Sequence, residues 1–303
     1  MATASRHELT FTSGGVACAA WHIPATGDAL ASEAGRPCVV MAHGFGGTRD
    51  TGLLPYAEAF ATAGIDAFVF DYRGFGASEG RPRQVISYRD QRRDYHAAVD
   101  AVRRLPGVDP DRIGLWGTSY SAGHAIVVAA HSPWVSAVVS MTPASDGLAG
   151  LGLIASAEGV GHLARLAVLG IADLVGGIRA KGPRMVPIVG RPGSDSMITA
   201  PGGEEAYTSM AGPTWRNETA ARHALEVGRN RPTIHARKVT CPVLVQVGKA
   251  DRVVPVKAAR TMASKLDNGV VKEYPVDHFD VYDGVWQRRA LADQLEFLSR
   301  VLR

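Results

Sequence analysis

The apolar positions of the chain begin with a period of two. Residues 8–12 and 16–23, joined at Ser13-Gly14-Gly15, read as an antiparallel hairpin leading in, with glycines supplying the backbone freedom of the turn. Short unbroken apolar runs follow at 37–42 (PCVVMA), 65–71 (IDAFVFD), 113–117 (IGLWG) and 135–141 (VSAVVSM). A strand that is apolar at every position is buried on both faces, as in a parallel sheet covered by helices on both sides. Between the runs the period becomes helical. In 88–105, Tyr95, Ala98, Val99, Val102 and Leu105 recur on one side, while Arg89, Arg92, Arg93, Asp100, Arg103 and Arg104 fall elsewhere and read as a solvated charged face.

From about 144 to 237 the alternation stops, and the segment is rich in Gly, Ala and Leu with several prolines. A structureless loop of that length does not fit a compact domain, so the segment is expected to hold helices of its own. It reads as an inserted helical cap that splits one core into 1–143 and 238–303. The strand–helix rhythm resumes at 242–248 (PVLVQVG), a helix near 256–266, a strand at 270–274 and an amphipathic helix at 285–302. The predicted class is α/β, with a mostly parallel central sheet and helices on both faces.

Composition changes this picture little. The 303 residues are 46% hydrophobic and 20% charged, which excludes collagen-like and disordered chains and leaves ample length for a core without staples. The net charge of +4 comes from arginines interleaved with acids, so no nucleic-acid partner is expected. The three cysteines, Cys18, Cys38 and Cys241, form no C-x-x-C pair, which signals neither a disulfide framework nor zinc. The first residues lack the basic-then-apolar run of a signal peptide, and the apolar stretches are interrupted before about 18 residues. A cytoplasmic protein with no membrane partner is expected, and the sequence is compatible with a homo-oligomer.

The chemistry concentrates at strand ends. Gly117-Thr118-Ser119-Tyr120-Ser121-Ala122-Gly123 follows one apolar run and precedes a helical one, so Ser119 sits on a tight strand-to-helix turn that projects its hydroxyl from the sheet. The Tyr120 backbone N–H then lies at a helix N-terminus, where it would meet an oxyanion. A serine hydroxyl needs a base, and the base needs an orienting acid. His278 lies in the loop after the last strand and Asp251 in the loop after the strand before it, at the same sheet edge as Ser119. Asp277 and Asp280, which flank His278, are the alternative acids. In His43-Gly44-Phe45-Gly46-Gly47 the glycines allow a sharp turn that offers the Phe45 N–H to the same oxyanion, with His43 shaping the loop. No phosphate-loop pattern is present. Asp71 and Arg73 read as an ion pair or loop anchor, and His124 and His131 as ordinary helix residues without metal-ligand spacing.

These residues resemble the α/β-hydrolase family, and more narrowly its dienelactone-hydrolase and prolyl-peptidase-like (X-Pro dipeptidyl-peptidase-like) serine hydrolases. The resemblance rests on HGFGG at 43–47, DYRGFGASEG at 71–80, GTSYSAG at 117–123, DRVVP at 251–255 and DHFDVY at 277–282, in family order, with 144–237 unmatched. It implies a Ser119–Asp251–His278 triad with oxyanion donors at Phe45 and Tyr120, and neither cofactor nor metal. One departure is Ser121, which stands where the elbow motif has its second glycine. The expected reaction is two-step acyl transfer to water, and the apolar character of 144–178 points to an uncharged, largely apolar carboxylic ester. A thioester, lactone, amide or peptide substrate, acyl transfer or perhydrolysis, and a non-catalytic binding module are the alternatives.

Overall fold

The computed structural model describes residues 5–178 and 182–303. A single eight-stranded sheet runs through it. The hairpin β1 (His7–Ser13) and β2 (Val16–Ile23) pairs antiparallel onto one edge. The other six strands are parallel: β3 (Arg36–Ala42), β4 (Asp66–Phe70), β5 (Val108–Thr118), β6 (Val135–Met141), β9 (Val243–Gly248) and β10 (Gly269–Tyr274). Their order across the sheet is β1-β2-β4-β3-β5-β6-β9-β10. β7 (Met185–Val186) and β8 (Thr219–Ala220) form a separate two-stranded ribbon.

Both faces of the sheet are covered, which explains the unbroken apolar runs. In β3, Cys38, Val40 and Ala42 pack under α2 (Tyr88–Val102), α3 (Tyr120–Ala129) and α7 (Val256–Ala263). Val39 and Met41 face the opposite core, against α1 (Leu54–Thr62) and α8 (Gly284–Val301). Both helix starts rest on local chemistry. Ser87 Oγ accepts the Asp90 N–H at 3.3 Å to open α2, and Asp283 accepts the Gly284 N–H at 2.7 Å to open α8.

Two expectations are corrected, and the alternatives left open for Asp71 and Arg73 are decided. The charged side of α2 is not uniformly solvated: Arg92 is largely buried, lies against the Tyr88 ring and donates to the Asn230 side chain, and burial pulls its pKa down. Asp71 and Arg73 do not pair with each other and instead anchor loops, the second of the two roles expected for them. Asp71 accepts the backbone N–H groups of Arg49 (2.7 Å) and Ala77 (3.0 Å), whereas Arg73 donates to Asp94 (2.8 Å from Nε) and to Ser13 (2.7 Å). His131 lies beyond the end of α3, with its Nε2 3.0 Å from His235 Nδ1.

The segment after β6 does carry helices: α4 (Gly147–Glu158), α5 (Val160–Ile178) and α6 (Gly203–Met210). Asp146 opens α4 by accepting two backbone N–H groups, and is held in turn by Arg231 at 2.9 Å. The apolar stretch of α5 is interrupted by Arg165 and Asp173, in line with the sequence expectation. Val160–Gly177 has a mean hydropathy of 1.4 and is long and apolar enough to cross a bilayer by composition. In the fold its Asp173 is buried and bonded to Arg222 (2.7 Å from Nε) and to the Arg184 N–H (2.7 Å), which ties α5 to the chain that follows it. The outer side of α5, including Val168 and Ile171, is exposed.

Candidate active site

The C-terminal ends of the parallel strands converge on one point. β5 ends at Thr118, and Ser119 makes the turn into α3 with φ 54° and ψ −112°, a backbone region that L-residues rarely occupy. Two backbone bonds hold it there: the Ser119 N–H donates to Met141 at the end of β6 (2.9 Å), and its carbonyl accepts the Ala144 N–H (2.9 Å). Gly117 is required because a Cβ there would lie 2.4 Å from the Ser121 carbonyl oxygen. Ser121, the departure from the motif, closes the elbow with its hydroxyl, which accepts the Thr118 N–H (2.8 Å) and donates to Ala42 O at the end of β3 (2.7 Å).

Of the residues expected at the site, Ser119, His278 and Asp251 come together in one line. His278 Nε2 lies 3.0 Å from Ser119 Oγ, and His278 Nδ1 lies 2.7 Å from Asp251 Oδ2. The other oxygen of Asp251 accepts the N–H groups of Val253 and Val254, each at 2.8 Å, which fixes the carboxylate plane. All three side chains are almost fully buried. The loops of Asp251 and His278 are neighbours because β9 and β10 pair in parallel, and two backbone bonds prolong that pairing: Lys249 N–H to Tyr274 O (2.8 Å) and Ala250 N–H to Val276 O (3.0 Å).

The flanking acids are engaged elsewhere. Asp277 accepts the N–H groups of Arg252 (2.9 Å) and His278 (2.8 Å) and bonds Arg252 Nε at 2.6 Å. Burial pulls its pKa up, but these bonds outweigh burial and hold it below the usual carboxylate range. Asp280 accepts the Asp277 N–H at 2.8 Å.

Opposite the elbow, the turn at 43–47 comes within contact of Ser119, since a Cβ on Gly44 would lie 3.2 Å from Ser119 Cβ. Among the described residues, neither the Phe45 nor the Tyr120 N–H donates to a protein acceptor. His43 is buried and donates from Nδ1 to Gly44 O at 3.0 Å, and burial lowers its pKa to about 4, so it shapes the loop as a neutral ring. The Tyr207 hydroxyl donates to Phe45 O at 2.8 Å and pins the same turn from α6, and Tyr282 bonds the Thr118 hydroxyl beside the elbow. Nothing in the sequence singles out Tyr207, because its partner lies 162 residues away.

Ser119 opens onto a cavity of about 310 Å³ roofed by Leu151 and Ile154 of α4 and by Leu163 and Leu166 of α5. A smaller crevice of about 10 Å³, bounded by Gly44, Thr51, Tyr207 and Phe279, reaches Ser119 and His278 from the other side. Among the described residues, no group of three or more His, Cys, Asp or Glu is placed to hold a metal. Cys18, Cys38 and Cys241 are buried, and burial raises the pKa of each thiol, to about 12 for Cys18 and about 11 for Cys241.

Residues 33–276 match the family described as serine aminopeptidase, S33. The quorum-quenching protein AidA of Acinetobacter baumannii (strain MDR-ZJ06) is 35% identical over 299 residues, 97% of this chain and 95% of that one. The thiohydrolase aneE of Aspergillus aculeatus is 28% identical over 279 residues, 89% of this chain and 87% of that one. The crystal structure of the α/β-hydrolase GrgF from Penicillium sp. sh18 superposes with a TM-score of 0.82 at 22% identity, covering 98% of this chain and 99% of that one.

Proposed function

The chain belongs to the serine aminopeptidase S33 family of α/β-hydrolases, and from that premise we propose that it is a serine hydrolase cleaving a carboxylic ester of an uncharged, largely apolar substrate. Ser119 Oγ attacks the ester carbonyl while His278 Nε2 takes its proton, and Asp251 holds the ring with Nδ1 protonated. The N–H groups of Phe45 and Tyr120 receive the oxyanion, the latter from the first turn of α3. His278 returns the proton to the departing alcohol, and a water deprotonated by His278 then releases the acid from Ser119. The observation that carries this reading is the Ser119–His278–Asp251 line opening onto an apolar cavity, whose volume of about 310 Å³ lies at the small end of the ligand-pocket range. The segment 144–237 serves as the cap that supplies the roof of that cavity.

A thioester is the second reading. It is favoured by the relative described as a thiohydrolase, and it uses the same acyl-enzyme. The test is labelling with a fluorophosphonate and turnover of nitrophenyl esters of rising acyl length, on wild type and Ser119→Ala. One adduct on Ser119 with ester turnover supports the proposal. A protein that neither labels nor turns over any ester refutes it.

A further inference from the structure

One stretch of the cavity wall is polar. Tyr120, His223 and Asn230 line it with 8%, 1% and 3% exposure. Behind Asn230, Arg92 donates from Nη2 to Asn230 Oδ1, and among the described residues no carboxylate pairs with Arg92, whose Nε is left without a partner. A guanidinium can only donate, so it fixes the orientation of the amide: Oδ1 is occupied, and the group left over is the Nδ2 donor. Asn230 stands beside the Tyr120 hydroxyl without reaching hydrogen-bond geometry, and that hydroxyl has no partner among the described residues. His223 donates from Nδ1 to Ile86 O at 3.3 Å, which leaves its Nε2 as a bare acceptor, buried and unpaired. A buried polar group without a partner costs roughly 1–3 kcal/mol, so a cluster of them on a ligand cavity calls for an explanation.

We propose that Asn230, Tyr120 and His223 form a polar subsite that binds an oxygen substituent, a carbonyl or hydroxyl, on the group that fills the cavity. The substrate class is thereby narrowed from a plain alkyl ester to an oxygenated one, which rests on the hydrolase reading for its assignment of the acyl side. Asn230 Nδ2 donates to the substituent oxygen, the Tyr120 hydroxyl gives or takes a second bond, and His223 Nε2 accepts from a hydroxyl. Arg92 does not line the cavity and acts through Asn230 as a positioning residue. With its charge one layer back, the wall presents a dipole rather than a cation, which favours a neutral oxygen over a carboxylate.

The test measures binding, without turnover, to the Ser119→Ala protein by titration calorimetry. The probes are octanamide, a series of oxo-octanamides with the ketone moved one carbon at a time, and octanamide carrying a terminal carboxylate. The expected result is one ketone position bound roughly ten- to a hundredfold more tightly than octanamide. In Ser119→Ala/Asn230→Asp, which keeps the acceptor for Arg92 but loses the amide donor, that ratio falls toward one. Ser119→Ala/Arg92→Met lowers the same ratio, and restoring a cation with Arg92→Lys recovers part of it. Equal affinity for all neutral probes, a preference that survives Asn230→Asp, or tightest binding of the carboxylate overturns the proposal. A wild type that turns over no ester refutes the hydrolase reading, while the binding ratio is judged separately by the variants above.

Discussion

Asp251→Asn tests the site most sharply, because the structure dictates which way the new amide must face. Asp251 Oδ1 accepts two backbone N–H groups, from Val253 and Val254 at 2.8 Å each, while Oδ2 faces His278 Nδ1 at 2.7 Å. Turning the amide NH2 toward Val253 and Val254 would set donors against donors and leave two buried N–H groups unpaired, at a cost of about 1–3 kcal/mol each. The oxygen therefore stays on the backbone side, and the NH2 faces His278. Nδ1 must then accept, so the ring proton moves to Nε2, which points at Ser119 Oγ as a donor and cannot take its proton. The base is present but in the wrong tautomer, and such an inversion costs about 10⁴ in kcat, or roughly 5.5 kcal/mol of transition-state stabilisation. The assay is kcat/KM on a nitrophenyl ester of intermediate acyl length, with thermal melting to show that the fold survives. A rate within about tenfold of wild type would refute the argument and remove Asp251 from the orienting role.

Three other outcomes are expected. Tyr207→Phe removes the bond that pins Phe45 O and should lower kcat about three- to tenfold, as one neutral hydrogen bond would, without changing the melting temperature by more than a few degrees; an unchanged kcat would dissociate Tyr207 from the oxyanion turn. Burial raises the pKa of Asp173, but its bonds to Arg222 and to the Arg184 and Arg222 N–H groups outweigh burial and depress it. A depressed folded pKa gives stability that is full above the unfolded value of about 3.9 and is lost as pH falls through the folded value. Asp173→Asn should therefore cost about 1–3 kcal/mol in urea unfolding at neutral pH, with the gap to wild type closing in acid; a gap independent of pH would contradict the assignment. Iodoacetamide should leave Cys18, Cys38 and Cys241 unmodified in the native protein and alkylate all three in urea, as read by mass spectrometry.

The motif-bearing loops were legible because each packs its chemistry into a few consecutive residues. The turns at 43–47 and 117–123 are short, and their glycines stand where backbones approach within contact, as at Gly117 and Gly44. His278 and Asp251 were legible from strand order, since loops at the C-terminal ends of neighbouring parallel strands must meet. Arg92 was misread for the opposite reason. It falls among charged residues on the helical pattern, and only the chain near Asn230, folded against α2, turns that position inward. Asp71 and Arg73 stand two residues apart in a motif, yet only Ala77 among their partners lies in it; Arg49, Asp94 and Ser13 come from another loop, from α2 and from β1.

By itself the sequence determined the parallel sheet, the two-faced burial of its strands and the strand-end loops that carry Ser119, Asp251 and His278. These follow from the period of apolar residues and the short-range sterics of turns, both of which act over a few residues. The tertiary structure decided where the described residues of 144–237 pack and which polar groups they meet. That segment has apolar residues on more than one side of its helices, so the pattern alone names no inner face. Only docking over the strand ends sets Leu151 and Leu166 against the cavity, leaves Val168 in solvent, and places Asn230 and His223 beside Tyr120. Contacts between residues far apart in the chain depend on how its layers meet in space, and no local period encodes that.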